Sequence, residues 1–126
     1  MISGIGVDIA EIARFKKLVD RFGDRIAHRL LTQQEYLQYK KRGQSLSFLA
    51  LRFAAKEAAS KALGTGLSGG IGFHSIEVVN DNLGRPELVF HDKALSYVEN
   101  KKISRAMLSL SDEKHYAVAM VVLEID

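Results

Sequence analysis

A helical pattern of small and apolar residues at positions 51–66 is the strongest signal in the chain. The run LRFAAKEAASKALGTG contains five alanines, and no proline or glycine precedes Gly64. Alanine is the best helix former. At about 100° per residue one face collects the small apolar side chains of Leu51, Ala54, Ala55, Ala58 and Ala62. We therefore predict a helix whose low-profile face lets another backbone pack closely, with Gly64 as its C-cap.

The opposite face of this helix carries Glu57 and Lys61 one turn apart, beside Phe53, Lys56 and Ser60. In one interpretation Glu57 and Lys61 form a solvent-exposed ion pair, which stabilises a helix by roughly 0.3–0.5 kcal/mol. In the other, the carboxylate binds a metal ion and the ammonium binds phosphate. Helical spacing alone does not distinguish these interpretations.

The N-terminal pattern predicts a short strand at 1–7 followed by a helix. Gly4 and Gly6 in the strand allow close backbone approach. The sequence DIAE at 8–11 fits a capping box, so Asp8 has a complete structural explanation as an N-cap. The helix has a buried stripe and an exposed basic stripe; the buried one is Ile12, Phe15, Val19 and Phe22, and the basic one is Arg14, Lys17 and Arg21.

The remaining pattern alternates short helices and strands. The sequence TQQE at 32–35 indicates a second capping box, and a serine at 45 or 47 caps the central helix. A helix from 92 to about 101 should turn Leu95 and Val98 inward. Further elements are a helical segment at 25–31, a helix from 32 to about 41, and strands at 75–79, 87–90, 106–111 and 116–123. This order predicts one α+β domain over 1–126 with a mainly antiparallel sheet.

Composition narrows the functional classes. The 126 residues are 47% hydrophobic and 26% charged, with no cysteine, so disulfides and thiolate zinc sites are excluded. No apolar run approaches the ~20 residues of a membrane span, and we expect a cytoplasmic protein with no membrane partner. The net charge is only +3, but residues 14–42 hold nine Lys or Arg against three acids, which indicates an acidic partner for that segment. The four histidines show no paired metal-ligand spacing.

Four segments together resemble a known family. They are GIGVDI at 4–9, RFAAKEAASKALGTG at 52–66, NLGRP at 82–86, and SLS at 109–111 followed by Tyr116-Ala117. In this order they resemble the holo-[acyl-carrier-protein] synthases, the small bacterial 4′-phosphopantetheinyl transferases. The resemblance covers nearly the whole chain, and the length fits the short single-module type.

The resemblance implies a fold, a reaction and a metal site. The fold would be the α+β 4′-phosphopantetheinyl transferase fold. The reaction would transfer 4′-phosphopantetheine from coenzyme A to a serine of apo acyl carrier protein, in support of fatty acid biosynthesis, and release adenosine 3′,5′-bisphosphate. Asp8 and Glu57 would hold Mg²⁺, and Lys61 would lie on the pyrophosphate. Positioning and charge neutralisation are the main protein contributions to phosphoryl transfer.

The resemblance also implies contacts around this centre. Candidates for binding the 3′-phosphate and adenine of coenzyme A are Arg52, Lys56, Gly64, Arg85, Pro86 and His115, each of which also suits a surface charge or a turn. The docking surface for an acidic acyl carrier protein would be Arg14, Lys17, Arg21, Arg25 and Arg29. A homotrimer with active sites shared between neighbouring chains is implied as well.

The chain departs from the family pattern at Asp112, where many members have histidine. An ionised aspartate cannot donate to phosphate. Three proton acceptors therefore stay open: Glu57 through a metal-bound water, Asp112, or a water alone. We favour a water activated near the metal.

Two rival functions remain at the level of sequence. A nucleic-acid binder would use the basic segment, but the chain has no recognition motif and its aromatic residues follow core periodicity. A module that binds coenzyme A or carrier protein without catalysis would not need Asp8, Glu57 and Lys61 together. We therefore expect an enzyme that binds no nucleic acid.

Overall fold

The chain forms five strands and five helices in a computed structural model that describes residues 1–126. In chain order these are β1 (Ile2–Glu11), α1 (Ile12–Phe22), α2 (Arg25–Leu30), α3 (Gln33–Lys41), α4 (Leu46–Leu63), β2 (Ile76–Asn80), β3 (Pro86–Phe90), α5 (Asp92–Asn100), β4 (Ile103–Asp112) and β5 (Tyr116–Ile125). The predicted α+β order is confirmed. No helix has the length and apolar character needed to cross a membrane.

The strands form two antiparallel sheets. The larger sheet has the order β1-β5-β4, so the last strand of the chain lies in its centre, and β2 and β3 form a separate hairpin. The hairpin of β4 and β5, which the short segment between the two apolar runs predicted, is confirmed. The pairing of β1 with β5 joins the two ends of the chain, and nothing in local sequence specifies such a long-range contact.

Helix α4 packs on one face of the larger sheet at very short distance. Ala54, Ala55 and Ala58 have no solvent exposure. A Cβ atom placed on Gly6 would lie 2.0 Å from the carbonyl oxygen of Ala58, and one placed on Gly4 would lie equally close to Ala62. The low-profile alanine face therefore meets a strand that has no side chain at the contact, as the sequence predicted.

The opposite face of the same sheet is apolar and exposed. We call this the outer sheet face. Its exposed apolar side chains, each 43–65% accessible to solvent, are Ile5, Val7, Ile9, Met107 and Met120. Val7 pairs with Met120, and Ile5 and Met107 flank Val122 on β5. Large apolar patches of this kind mark interaction surfaces.

The predicted N-cap role of Asp8 is wrong. Strand β1 continues to Glu11 because its side chains go on alternating, with Gly6, Asp8 and Ala10 toward α4, and because its ladder with β5 extends to Glu11 and Tyr116. Helix α1 then begins at Ile12 without a side-chain cap. Asp8 therefore lies within the strand.

Other predicted helix ends are confirmed. Thr32 and Glu35 form the capping box of α3, Ser45 caps α4, and Gly64 ends α4 with a φ of 83°. In α5 the inward residue is Ala94, whereas Leu95 is 42% exposed. The prediction for Leu95 was wrong by one position, which is enough to turn a side chain by about 100° on a helix.

Candidate active site

Asp8 and Lys61 meet where the middle of β1 faces the C-terminal half of α4. The Lys61 Nζ donates to Asp8 Oδ1 at 3.0 Å and to the carbonyl oxygen of Val7 at 3.1 Å. The Asp8 side chain is 15% exposed and that of Lys61 is 51% exposed. Asp8 Oδ2 is buried and has no hydrogen-bond partner. A buried carboxylate oxygen without a donor is costly unless it binds something else.

Glu57 completes this cluster from one turn earlier on α4. Burial raises the pKa of Glu57 above its usual value, and the neighbouring Asp8 carboxylate raises it further, against the opposing charges of Lys61 and Arg14. A carboxylate whose charge is disfavoured by a second carboxylate beside it forms, with that second group, a site for a cation. The simple interpretation of Glu57 and Lys61 as an ion pair does not hold, because Lys61 pairs with Asp8 instead.

A second group of predicted residues lines a cleft of about 400 Å³ beside β4. Arg52, Arg85 and Pro86 meet there with Arg42, which the sequence analysis did not single out. The other lining residues are Leu51, Asn80, Gly84, Leu108, Ser109 and Leu110. Arg42 follows α3 in the basic segment 14–42, and that charge excess was the only signal that pointed to it.

Arg52 is the buried cation of this cleft. Its side chain is 4% exposed, it donates to Gln38 Oε1 at 3.3 Å, and its guanidinium lies 4.4 Å from the ring centre of Phe48. Burial lowers its pKa to about 10, with a further contribution from Arg42 against the opposing effect of Glu35. Its Nε has no hydrogen-bond partner. This Nε is buried and lies 3.8 Å from Glu35 Oε2, so the donors that suit phosphate are the outer guanidinium nitrogens of the arginines at the cleft.

The two groups lie at opposite edges of the larger sheet. Asp8 is on the edge strand β1, its neighbour across the ladder is Ala119 on β5, and the next residue in the row is Leu110 on the other edge strand. Two strand spacings therefore place Asp8 and Leu110 about 10 Å apart. Arg52 and Glu57 are five residues apart on α4, or about 140° around its axis, so the helix itself stands between the cleft and the carboxylates.

The structure contradicts the predicted contact of Lys56 with coenzyme A. Lys56 has no solvent exposure, and its ammonium group binds the Glu35 carboxylate and two backbone carbonyl oxygens. Burial lowers the pKa of Lys56, while Glu35 opposes this shift. The helical pattern placed Lys56 correctly opposite the alanine face, but α2, α3 and β2 cover that side.

Gly64 and His115 lie apart from the cleft. Gly64 ends α4 three residues after Lys61, so it stays close to the carboxylate cluster along the chain. His115 is exposed in the β4–β5 turn, and its carbonyl oxygen accepts from the backbone of Ile12 at 2.9 Å. Asp112 pairs with Ala117 on β5, and Ala117 pairs with Ala10 on β1. Asp112 is therefore displaced along the strands by two residues from the level of Asp8, which pairs with Ala119. The contacts predicted for Gly64 and His115 stay predictions.

The predicted basic docking residues form one exposed surface. Arg14, Lys17 and Arg21 are exposed on α1, and Arg25 and Arg29 are exposed on α2. Arg14 lies over the ring of Phe53 at 5.4 Å, one turn of α4 before Glu57. The positive charge of Arg14 also acts on Glu57. The basic surface therefore borders the carboxylate cluster.

Comparison with known proteins identifies the family. A model of the 4′-phosphopantetheinyl transferase superfamily matches residues 4–121, so the chain belongs to this superfamily. Within it, the chain is 50% identical to a holo-[acyl-carrier-protein] synthase of Aliivibrio salmonicida and 53% identical to one of Buchnera aphidicola, over 98% of each chain. The family resemblance seen in the sequence motifs is thereby confirmed.

Solved structures agree with this assignment. The chain matches a holo-[acyl-carrier-protein] synthase from Neisseria meningitidis with a TM-score of 0.91 and 45% identity, covering 98% of this chain and 99% of the other. It matches the enzyme from Bacillus anthracis in complex with CoA (3′,5′-ADP) with a TM-score of 0.78 and 40% identity, covering 100% and 99%. The Helicobacter pylori enzyme in complex with coenzyme A gives 0.84 and 31%, over 95% and 99%.

Proposed function

We propose that this chain transfers the 4′-phosphopantetheine group of coenzyme A to a serine of an apo acyl carrier protein and releases adenosine 3′,5′-bisphosphate. The Asp8–Glu57–Lys61 cluster is the observation that carries this proposal. It places the Asp8 carboxylate, which raises the pKa of Glu57, beside the ammonium group of Lys61. Relatives at about 50% identity bear the name of this reaction, and two related structures contain coenzyme A or part of it.

The residues present fit Mg²⁺. Asp8 Oδ2 is a buried oxygen without a donor, and Glu57 would supply a second oxygen ligand. No group of three or more acidic, histidine or cysteine side chains is arranged to hold a metal, and Mg²⁺ typically needs only one or two carboxylates together with substrate phosphates and water. When bound by Asp8 and Glu57, the ion would neutralise negative charge on the pyrophosphate.

Lys61 and the basic cleft would bind different phosphate groups of coenzyme A. The ammonium of Lys61 lies at the open side of the cluster, where it can donate to a pyrophosphate oxygen and stabilise the charge that develops on the leaving side. Arg42, Arg52 and Arg85 offer a separate set of donors that suits the 3′-phosphate. Pro86 offers an apolar surface for the adenine in the same cleft.

The separation of these two parts favours an active site built from two chains. The carboxylate cluster lies at the β1 edge of the sheet and the basic cleft at the β4 edge, with α4 between them. A ring of three copies, packed through the outer sheet face, would bring the β1 edge of one chain to the β4 edge of its neighbour. One coenzyme A molecule would then place its pyrophosphate on the first chain and its 3′-phosphate on the second.

The basic surface of α1 and α2 is the proposed dock for the carrier protein. An acidic partner would be attracted and oriented by its five cations. Between α1, α2 and α4 lies an apolar depression of about 270 Å³ with Arg14 and Arg29 at its rim. Because Arg14 is next to Glu57, a carrier protein docked here would present its serine to the carboxylate cluster.

Two substitutions on α4 test the roles in the cluster. In Glu57→Gln the helix propensity is kept, and turnover should fall by about two orders of magnitude, which is typical of losing one electrostatic stabiliser. Raising Mg²⁺ should recover part of the loss, because the defect lies in metal affinity. In Lys61→Met turnover should fall without such recovery, because a phosphate contact is missing.

The assay is the mass of an apo carrier protein after incubation with coenzyme A across a Mg²⁺ titration. Glu99→Gln, at an exposed position of α5, is the matched control and should behave as the wild type. An active Glu57→Gln variant with an unshifted Mg²⁺ dependence would refute the metal assignment. A wild-type protein that adds no phosphopantetheine to the carrier protein would refute the proposed reaction.

A further inference from the structure

The most deeply buried charges of the protein have no part in the proposed chemistry. Lys56 is 0% exposed, and its Nζ donates to Glu35 Oε1 at 2.6 Å, to the Phe73 carbonyl oxygen at 2.7 Å and to the Leu30 carbonyl oxygen at 2.8 Å. All three donors of the ammonium group are therefore used. Their acceptors come from α2, α3 and the loop before β2, so Lys56 ties α4 to three separate segments.

Glu35 is as fully bonded as its partner. It is 1% exposed; its Oε1 also accepts from the Thr32 backbone at 2.8 Å, and its Oε2 accepts from the Val78 backbone at 2.8 Å. Its Oε2 is also 3.8 Å from Arg52 Nε. A salt bridge buried this deeply is weak evidence for a role in stability, because apolar side chains of similar volume often stabilise a protein equally well or better.

The opposite side of α4 explains what such a pair can contribute. There, alanines face Gly4 and Gly6 of β1, so the contact with this strand lacks large interlocking side chains, which on this face of the sheet come from Val121 and Leu123 of β5. Ridges and grooves normally fix how a helix is rotated about its axis. A flat contact permits close approach but offers little resistance to rotation or sliding. Contacts on the other side of α4, where Lys56 lies, therefore contribute much of what fixes its rotation.

We propose that the buried Lys56–Glu35 pair is a positioning device that sets the rotation of α4 and so directs Glu57 toward Asp8. This inference rests on the metal site of the proposed function. Glu57 follows Lys56 directly, and its carboxylate lies at about 5–6 Å from the helix axis. Since a functional group must be held within about 0.5 Å, a rotation of only about 5° would already use up the tolerance.

The test replaces both partners together, because removing one leaves the other as an unpaired buried charge. In the variant Glu35→Gln/Lys56→Met the binding of Mn²⁺ is measured directly from the electron paramagnetic resonance of the free ion, without turnover. We expect the dissociation constant to rise about tenfold or more, as for other residues that orient metal ligands. We expect kcat to fall about 100-fold, the cost of a misplacement near 1 Å, with the KM for carrier protein unchanged.

Two further variants keep the test decisive. Glu35→Asp retains both charges but shortens the acid by one methylene, and it should weaken Mn²⁺ binding about three- to tenfold even if the double variant does not fold. Glu77→Gln is the control: Glu77 belongs to the neighbouring network with Thr32 and His91 but makes no hydrogen bond to α4, so Mn²⁺ binding should match the wild type.

A folded double variant, or a folded Glu35→Asp variant, with wild-type Mn²⁺ affinity and kcat would overturn the positioning role. Weakened Mn²⁺ binding in Glu77→Gln to the same extent would also overturn it, because any loss of stability would then suffice. If the wild-type protein binds Mn²⁺ no more tightly than Asp8→Asn does, the metal site itself is wrong. This comparison uses only the wild type and Asp8→Asn, so it distinguishes a failure of the metal site from a failure of the positioning role of Lys56 and Glu35.

Discussion

From the close contact between Gly6 and α4 we predict that a side chain added at position 6 destabilises the protein. In Gly6→Ala the new Cβ would lie 2.0 Å from the Ala58 carbonyl oxygen and 2.8 Å from the Ala62 nitrogen. Both neighbours are backbone atoms of a helix, so neither can rotate away. To reach ordinary contact at 3.4 Å, β1 and α4 must separate by about 1.4 Å, a displacement that a close-packed interior resists.

The expected magnitude follows from two opposing terms. A glycine in a strand costs roughly 0.5–1 kcal/mol relative to alanine, so alanine in open space would stabilise the protein. Overpacking a close contact costs about 1–3 kcal/mol, and a clash with helix backbone, which cannot rotate away, lies at the upper end of this range. We expect a net destabilisation of about 2 kcal/mol, or a fall in Tm of about 6–10 °C for a chain of this size. Asp8, two residues further along β1, should also move from Lys61, and kcat should fall about 100-fold.

The assay is thermal and urea unfolding at one fixed protein concentration, together with turnover. The control is Gly72→Ala, because a Cβ on Gly72 meets no atom within 4 Å; its stability should equal or slightly exceed that of the wild type. If Gly6→Ala unfolds at the temperature of Gly72→Ala or above it, then α4 does not approach β1 as described.

Three further predictions concern surfaces and pH. Replacing Arg14 and Arg21 by glutamate should raise the KM for carrier protein strongly and leave that for coenzyme A unchanged; an unaltered KM for carrier protein would exclude this surface as the dock. Met120→Lys, on the outer sheet face, should convert an assembled protein to monomers in sedimentation and abolish activity, and a fully active monomeric wild type would contradict the shared site. Burial alone would raise the pKa of Glu77, but hydrogen bonds from Thr32 and with His91 lower it below its usual value. The stability that Glu77 contributes relative to Glu77→Gln should therefore be fully present above about pH 4.3 and disappear as the pH falls through the lower folded-state pKa; parallel acid unfolding of the two proteins would contradict this.

Local patterns predicted the elements of the fold well. The capping box of α3, the serine and glycine that end α4, and the β4–β5 turn act over a few residues, so local sequence is sufficient to indicate them. Asp8 shows the limit of this reasoning. Its capping-box pattern was outweighed by the ladder between β1 and β5, which depends on residues more than a hundred positions away.

The sequence predicted the surroundings of some candidate site residues correctly and those of others wrongly. Asp8, Glu57 and Lys61 meet as the family motifs implied, and Arg52, Arg85 and Pro86 share one cleft. Lys56 differs because helical periodicity tells which side of α4 a residue occupies, but not what covers that side. The partners that bury Lys56 come from α2, α3 and the loop before β2, and their approach is a property of the tertiary fold.

The central position of β5 also determines when the protein can fold during its synthesis. Both ladders of the larger sheet, and much of the surface on which α4 rests, require residues 116–125. Until these residues leave the ribosome, β1 has no pairing partner and α4 lacks the part of its packing surface that β5 provides. Contacts between distant parts of a chain form slowly, and exposed strand edges invite aggregation in the meantime. The nascent chain must therefore stay unassembled, or be protected, until residues 116–125 are available.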